Sequence, residues 1–215
     1  MESDSINHLI KKRFRGFLPV VIDVETGGLE PKKDALLELA AITIEMNEQG
    51  FVFPAEEFHY HILPFENANL DPKSLAFNKI DPLYPLRFAI DEKDAMKDLC
   101  IKITQACKKN ECQRAVLVGH NAWFDQHFLN AAMARSHMVK NPFHRFTSFD
   151  TATLGGLAFG QTVLSKALGA ANIPYDSEEA HSALYDAQRT AELFCHIVNQ
   201  WKITTEPEQA PFPDV

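Results

Sequence analysis

No stretch of the sequence approaches the ~20 consecutive apolar residues that a helix needs to cross a bilayer, and the opening segment MESDSINHLIKKRFRG has no apolar run of the kind that directs secretion. These two absences make a soluble, cytoplasmic protein the expectation. Cysteine is scarce. Cys100, Cys107, Cys112 and Cys195 form no CxxC pair and no spacing suited to structural zinc, so reduced thiols are expected. Internal repeats and linker-like stretches are also missing, and 215 residues with 46% hydrophobic content suffice for one domain with a substantial core. The expectation is a single unit over residues 1–215, its core spanning about 13 to 201, with a frayed tail TTEPEQAPFPDV rich in proline and acid.

An overall positive charge is lacking too: the net charge is −8, which at face value argues against a polyanionic partner. The distribution qualifies that argument. Residues 8–18 hold Lys11, Lys12, Arg13 and Arg15 with no acid, and residues 107–146 hold Lys108, Lys109, Arg114, Arg135, Lys140 and Arg145 against only Glu111 and Asp125. Two basic islands therefore lie in an acidic background. Charge runs of this kind are commonly no more than solvated surface.

What is present reads as alternating structure. FLPVVIDVE at 17–25 is a Val/Ile-rich run ending at Thr26-Gly27-Gly28, as expected of a buried central strand. Residues 35–46 and 58–63 add two further strands in an antiparallel meander. From 91 to 109 the apolar positions Ala95, Met96, Leu99, Ile103 and Ala106 recur at helical spacing. RAVLVGH at 114–120 predicts a strand, followed by a helix through FDQHFLNAAMARSH. Asp150-Thr151 predicts the cap of a short helix ending near Gly155-Gly156, residues 163–171 another short helix, and 182–201 a long final one. The sum is an α/β domain with a mixed sheet, because the late strand must enter through a helical crossover.

The chemistry-bearing residues sit at the ends of these elements. Asp23 and Glu25 alternate on the first strand, so both carboxylates leave one face while Val24 packs on the other. A lone DxE is common on exposed strands. Here its surroundings, VVIDVETGG, are apolar, and adjacent anions there are costly unless a cation sits between them. A divalent metal is the natural counter-ion. Asp125 in HNAWFD follows the 114–120 strand, at the strand end where α/β folds place their sites. HSALYD at 181–186 opens the final helix; residues five apart do not share a helix face, so His181 belongs to the preceding loop and Asp186 to the helix.

Four carboxylates and one histidine suit two-metal phosphodiester hydrolysis. Magnesium prefers oxygen ligands, two ions ~3.5–4 Å apart can serve the attacking water and the leaving 3′-oxygen, and a histidine titrating near ~6.5 can take the water's proton. Taken singly, each residue has a plainer explanation: Asp125 as a helix cap, His181 as a surface histidine, Asp186 as part of a solvated helix face.

In their order and context, DxE at 23–25, HNxxxD at 120–125 and HxxxxD at 181–186 resemble the three motifs of the DEDD superfamily of 3′→5′ exonucleases, and the histidine before the last aspartate resembles the DEDDh branch. The likeness runs from about Arg13 to Trp201, and RFRGF, NPFH and AHSALYD are similar to segments of the ribonuclease T family within that branch. It implies the ribonuclease H-like fold, an α/β architecture with a five-stranded mixed sheet flanked by α-helices. It also implies that Asp23, Glu25, Asp125 and Asp186 hold two Mg2+ ions, with Mn2+ as a substitute, and that His181 is the general base.

The same resemblance gives the basic islands a role. It implies a homodimer in which Arg13, Arg15, Lys108 and Arg114 of one subunit grip RNA entering the partner's site; Val139 occupies one further basic position, with Lys140 beside it as a replacement. Phe77, Phe124 and Phe146 stand where the family wedges rings against terminal bases, each stack contributing ~1–3 kcal/mol. Two positions depart from the family: Leu29 replaces an aromatic ring and Lys73 an acid that reads the base edge. Altered discrimination of the 3′ nucleotide, with weaker stalling at terminal cytosine, is the consequence. The implied activity is removal of 3′-terminal nucleotides from single-stranded RNA, in tRNA end turnover and stable-RNA maturation, with single-stranded DNA as a second substrate. A DNA proofreading subunit would use the same five residues, but KKRFR and the ribonuclease T-like segments favour RNA. A non-catalytic RNA-binding module is disfavoured because all five reactive residues are intact.

Overall fold

The strand-forming runs assemble into one five-stranded sheet in the order β3-β2-β1-β4-β5. The computed structural model describes residues 9–201, so the expected frayed tail at 204–215 lies outside the described residues. β1 (Phe17–Thr26) is central, bonded antiparallel to β2 (Leu36–Met46) on one side and parallel to β4 (Arg114–Gly119) on the other. Val20, Val21 and Ile22 have no exposure at all, which explains why this strand reads as a continuous apolar run. β2 continues antiparallel to β3 (Val52–His61), and β4 pairs parallel with β5 (Phe143–Asp150). The meander and the mixed sheet are both as expected.

Six helices flank the sheet among the described residues: α1 (Pro72–Asn78), α2 (Glu92–Lys109), α3 (Trp123–Arg135), α4 (Thr151–Phe159), α5 (Leu164–Ala170) and α6 (Ala183–Gln200), besides a helical stretch over 9–13. α6 lies across β1, β2 and β3 through Ala183, Ala187 and Ala191, small residues that bring the helix close to the strands, and through the large buried ring of Phe194. None of these helices is long and apolar enough to cross a membrane. The four cysteines are unpaired, and burial pushes Cys107 and Cys195 up to about 12, so their thiols stay protonated.

Three elements differ from expectation. β3 begins at Val52, six residues before the predicted start, because Pro54 masks its beginning; on an edge strand the missing N–H breaks no ladder bond that a neighbour needs. β5 carries the polar run HRFTS and is bonded only through β4, so its residues have neither alternation nor burial to announce a strand. α4 passes through Gly155-Gly156 and ends at Gly160, which adopts φ 67. Gly155 is there for close packing: a Cβ would stand 2.8 Å from the Gln161 carbonyl oxygen.

Arg135, counted above in a basic island, is a structural residue. Its guanidinium makes a two-pronged contact with buried Glu92 at 2.9 and 2.7 Å, donates to the Pro31 carbonyl at 2.6 Å, and stacks 4.2 Å from the Phe65 ring centre. This ties α2 to α3 and to the loop after β1. Arg135→Ala should cost about 3–5 kcal/mol in urea denaturation, because it strands the Glu92 charge. A loss below about 1 kcal/mol would show that the pair behaves like an exposed one.

Candidate active site

β1 presents Asp23 and Glu25 on one face, with Val24 buried on the other. The third carboxylate arrives from α3. Asp125 lies in its first turn, is 5% exposed, and accepts a hydrogen bond from the Val24 N–H at 3.1 Å through Oδ1. One carboxylate is thereby pinned to the peptide between the other two. Gly119, ending β4, makes the approach possible: a Cβ would lie 3.0 Å from both Asp125 Oδ2 and the Ala122 Cα.

The fourth carboxylate and the histidine come from the start of α6. His181 occupies the turn before the helix in a left-handed conformation, φ 68, and its N–H donates to Asp186 Oδ2 at 2.9 Å. Glu25, His181 and Asp186 have ligand-type atoms all within 4.8 Å of one another. The expected split of loop imidazole and helix carboxylate is what the structure contains. Asp186 Oδ1 is buried with no hydrogen-bond partner.

The cluster is electrostatically strained. Burial first, then Asp125, Glu25 and Asp186, hold the Asp23 carboxyl well above the ordinary carboxylate range. Glu25 is pushed up to about 8 by burial and by Asp186 and Glu38. Burial also raises Asp125 and Asp186. A carboxylate set whose charged forms are disfavoured, with one buried oxygen lacking a hydrogen-bond partner, fits a hard divalent cation.

The expected base-contacting side chains divide. Phe77, on α1, is 63% exposed, with its ring centre 4.0 Å from that of His181. Asn78 next to it donates to the Thr26 carbonyl at 3.0 Å, fastening α1 to the end of β1. Leu29 protrudes from the loop after β1, 78% exposed. Lys73 is exposed on the first turn of α1, its N–H accepted by the Asp71 cap. Phe124 is half-buried against Phe128, at 5.0 Å, and so belongs largely to the core. Phe146 stands in a groove of about 790 Å³ shared with Arg114, Val139, Lys140 and Arg145.

The basic islands meet at the starts of β1 and β4, where the Gln113 N–H donates to the Gly16 carbonyl at 2.7 Å. Arg15, Lys108, Arg114 and Lys140 are exposed. Arg13 is not with them on the open surface: its guanidinium donates to the carbonyls of Val198 and Trp201 at 2.5 and 3.0 Å, closing the end of α6. Asp23 lies six steps along the strand from Phe17, or about 20 Å at ~3.3 Å per residue. Cationic and anionic surfaces therefore sit at opposite ends of β1.

Sequence reasoning missed Asn78, and it missed Glu38, His59 and His61 beside the site. Only strand register reveals the last three: Glu38 pairs with Glu25 on one side and His61 on the other.

The model of the exonuclease family RNase_T matches residues 20–194. Ribonuclease T of Photorhabdus laumondii subsp. laumondii is 53% identical over 202 residues, 94% of this chain and 93% of the relative. Among solved structures, E. coli exonuclease I in complex with a dT13 oligonucleotide aligns over 83% of this chain with a TM-score of 0.64 at 17% identity. A full-length 3′-exonuclease aligns over 86% of this chain and 82% of its own length, TM-score 0.63, at 16% identity. This chain covers 40% of exonuclease I, and both structural likenesses are of fold.

Mutual repulsion among the carboxylates has a measurable consequence. Without divalent cation, Asp23→Asn should be more stable than the wild type by about 1–2 kcal/mol in urea, a gain of the size seen when a functional strain is relieved. Added Mg2+ should stabilise the wild type more than the variant. Equal stabilities in EDTA would mean that the anions do not oppose folding.

Proposed function

The chain belongs to the RNase T exonuclease family and is a 3′→5′ exonuclease; from that premise we propose that it trims the 3′ ends of single-stranded RNA, including tRNA ends and precursors of stable RNAs. The convergence of Asp23, Glu25, Asp125 and Asp186 beside His181 is the observation that most supports this reading. These carboxylates would hold two Mg2+ ions, with Mn2+ as a substitute. When bound, the ions would polarise the scissile phosphodiester, lower the pKa of the attacking water and stabilise the leaving 3′-oxygen.

The chain's own residues supply the rest. His181, half-exposed on its turn, takes the proton from the attacking water at an imidazole nitrogen. Its turn is fixed by the backbone N–H bond to Asp186, and its ring lies against that of Phe77. Phe77 and Leu29 flank the carboxylates with exposed apolar surface, suited to covering the terminal bases. Leucine covers a base without stacking on it, and Lys73 offers a cation where an acid would accept from a base edge; weaker discrimination of the 3′ nucleotide follows.

The separation of charge along β1 supports a homodimer. A strand of RNA whose last phosphodiester lies at the carboxylates cannot have the same nucleotides gripped by cations about 20 Å away on the same chain. A second subunit can bring Arg15, Lys108, Arg114 and Lys140 to that strand.

Two experiments test the proposal. Matched RNA and DNA duplexes with 3′ overhangs differing in their last two bases should be shortened one nucleotide at a time in Mg2+, leaving 5′-monophosphates, with RNA cut faster. His181→Ala should lower the rate by about 10²–10⁴; unchanged activity removes His181 as base, and faster DNA cleavage removes the RNA assignment. For the dimer, inactive Asp23→Asn chains are mixed with chains weakened by Lys108→Ala and Arg114→Ala. Mixed dimers should recover activity above either parent, because one composite site combines intact carboxylates with an intact partner's cations. No recovery argues for gripping within a single chain.

A further inference from the structure

Beside the carboxylate cluster, but on the neighbouring strands, Glu38, His59 and His61 bring one carboxylate and two imidazoles together, with their ligand-type atoms all within 4.8 Å. The strand geometry makes this unavoidable. His59 and His61 alternate on β3 and so leave the same face, and Glu38 on β2 is the direct register partner of His61. Glu38 Oε1 lies 2.8 Å from His61 Nδ1 and 3.6 Å from His59 Nε2. Ligands ~2.0–2.1 Å from a tetrahedral ion stand roughly 3.3 Å apart, a value between these two separations.

A second observation points the same way. His61 Nδ1 is buried without a hydrogen-bond partner: despite its closeness to Glu38, the two are not aligned for one. A buried ring nitrogen 2.8 Å from a buried carboxylate oxygen, yet out of line for a good hydrogen bond, is a pair of donor atoms that a shared cation would satisfy. The outer support is also present. Glu38 Oε2 accepts from the Ala183 N–H at 3.2 Å, which fixes the carboxylate as hydrogen bonds to ligating carboxylates do, and leaves Oε1 for another partner. His59 is exposed, giving access from solvent and an open fourth position.

We propose that Glu38, His59 and His61 form a site for a divalent transition metal of the zinc type, separate from the four-carboxylate cluster. Two imidazoles select against Mg2+ and for zinc or its neighbours. Because Ala183 begins α6 two residues after His181, an ion here braces the turn that carries the histidine. The site thus stands apart in its ligands while sharing a structural support with the catalytic turn.

The experiment is equilibrium dialysis of the full chain against Zn2+ in excess Mg2+, which occupies the oxygen cluster. Wild type and Asp186→Asn should each retain one zinc per chain. His59→Ala, an exposed and structurally mild change, and His61→Ala should weaken retention by more than the ~10–100-fold that loss of an outer partner causes. Co2+ gives a second readout: visible absorption of imidazole-ligated cobalt should appear in the wild type and vanish in His59→Ala. Failure of the wild type to retain zinc, or zinc that survives His59→Ala but is lost in Asp186→Asn, overturns the proposal.

Discussion

Repulsion among four carboxylates at the end of one buried strand is the constraint around which this fold is arranged. Left alone, such a cluster would spread or protonate. The structure prevents spreading by fixing each member to backbone. Asp23 and Glu25 cannot part because they are alternate residues of one strand, which is paired with β2 along this stretch and with β4 up to Val21. Asp125 is tied to the Val24 N–H and Asp186 to the His181 N–H. The remaining freedom is protonation, and the upward displacement of all four groups records it. Stability is thus given up locally to keep together a cluster whose repulsion a divalent cation would relieve.

The same central strand separates opposite charges. Its beginning carries the basic surface and its end the acidic one. A net charge of −8 conceals this, since composition sums what the fold keeps apart. Within the basic islands the fold also sorts cations by task. Arg13 closes α6, Arg135 holds Glu92, and Lys109 pairs with Glu45, while Arg15, Lys108, Arg114 and Lys140 remain on the surface.

What could be read from sequence follows from this physics. Asp23 and Glu25 were legible because anions in an apolar run are conspicuous and strand alternation says which way they point; Asp125, His181 and Asp186 each had a plainer explanation and stood out only through the order of the three motifs and the family resemblance it carries. β1, β2, α2 and α6 were legible because burial writes period or continuity into them. β5 was not, since an edge strand with a polar face carries neither, and Pro54 concealed the start of β3. Glu38, His59 and His61 escaped notice for another reason: their proximity depends on strand register across the sheet, which no local pattern encodes. Asn78 likewise works through one long-range bond to Thr26.

Asp186 shows how tightly support and chemistry are joined here. Its Oδ2 holds the left-handed His181 turn, a conformation that costs roughly 1–2 kcal/mol in a residue with a side chain, while its Oδ1 remains buried and unpartnered. One carboxylate therefore fixes the His181 turn through one oxygen and keeps the other without a partner. Glu38 repeats the arrangement from the opposite side, accepting from Ala183 with Oε2 and facing two imidazoles with Oε1. The first turn of α6 is gripped by both. Replacing Asp186 therefore removes a prospective ligand and loosens the His181 turn together. A variant at that position reports the sum of two effects, whereas Asp23, which anchors no turn by a side-chain hydrogen bond, isolates the electrostatic one.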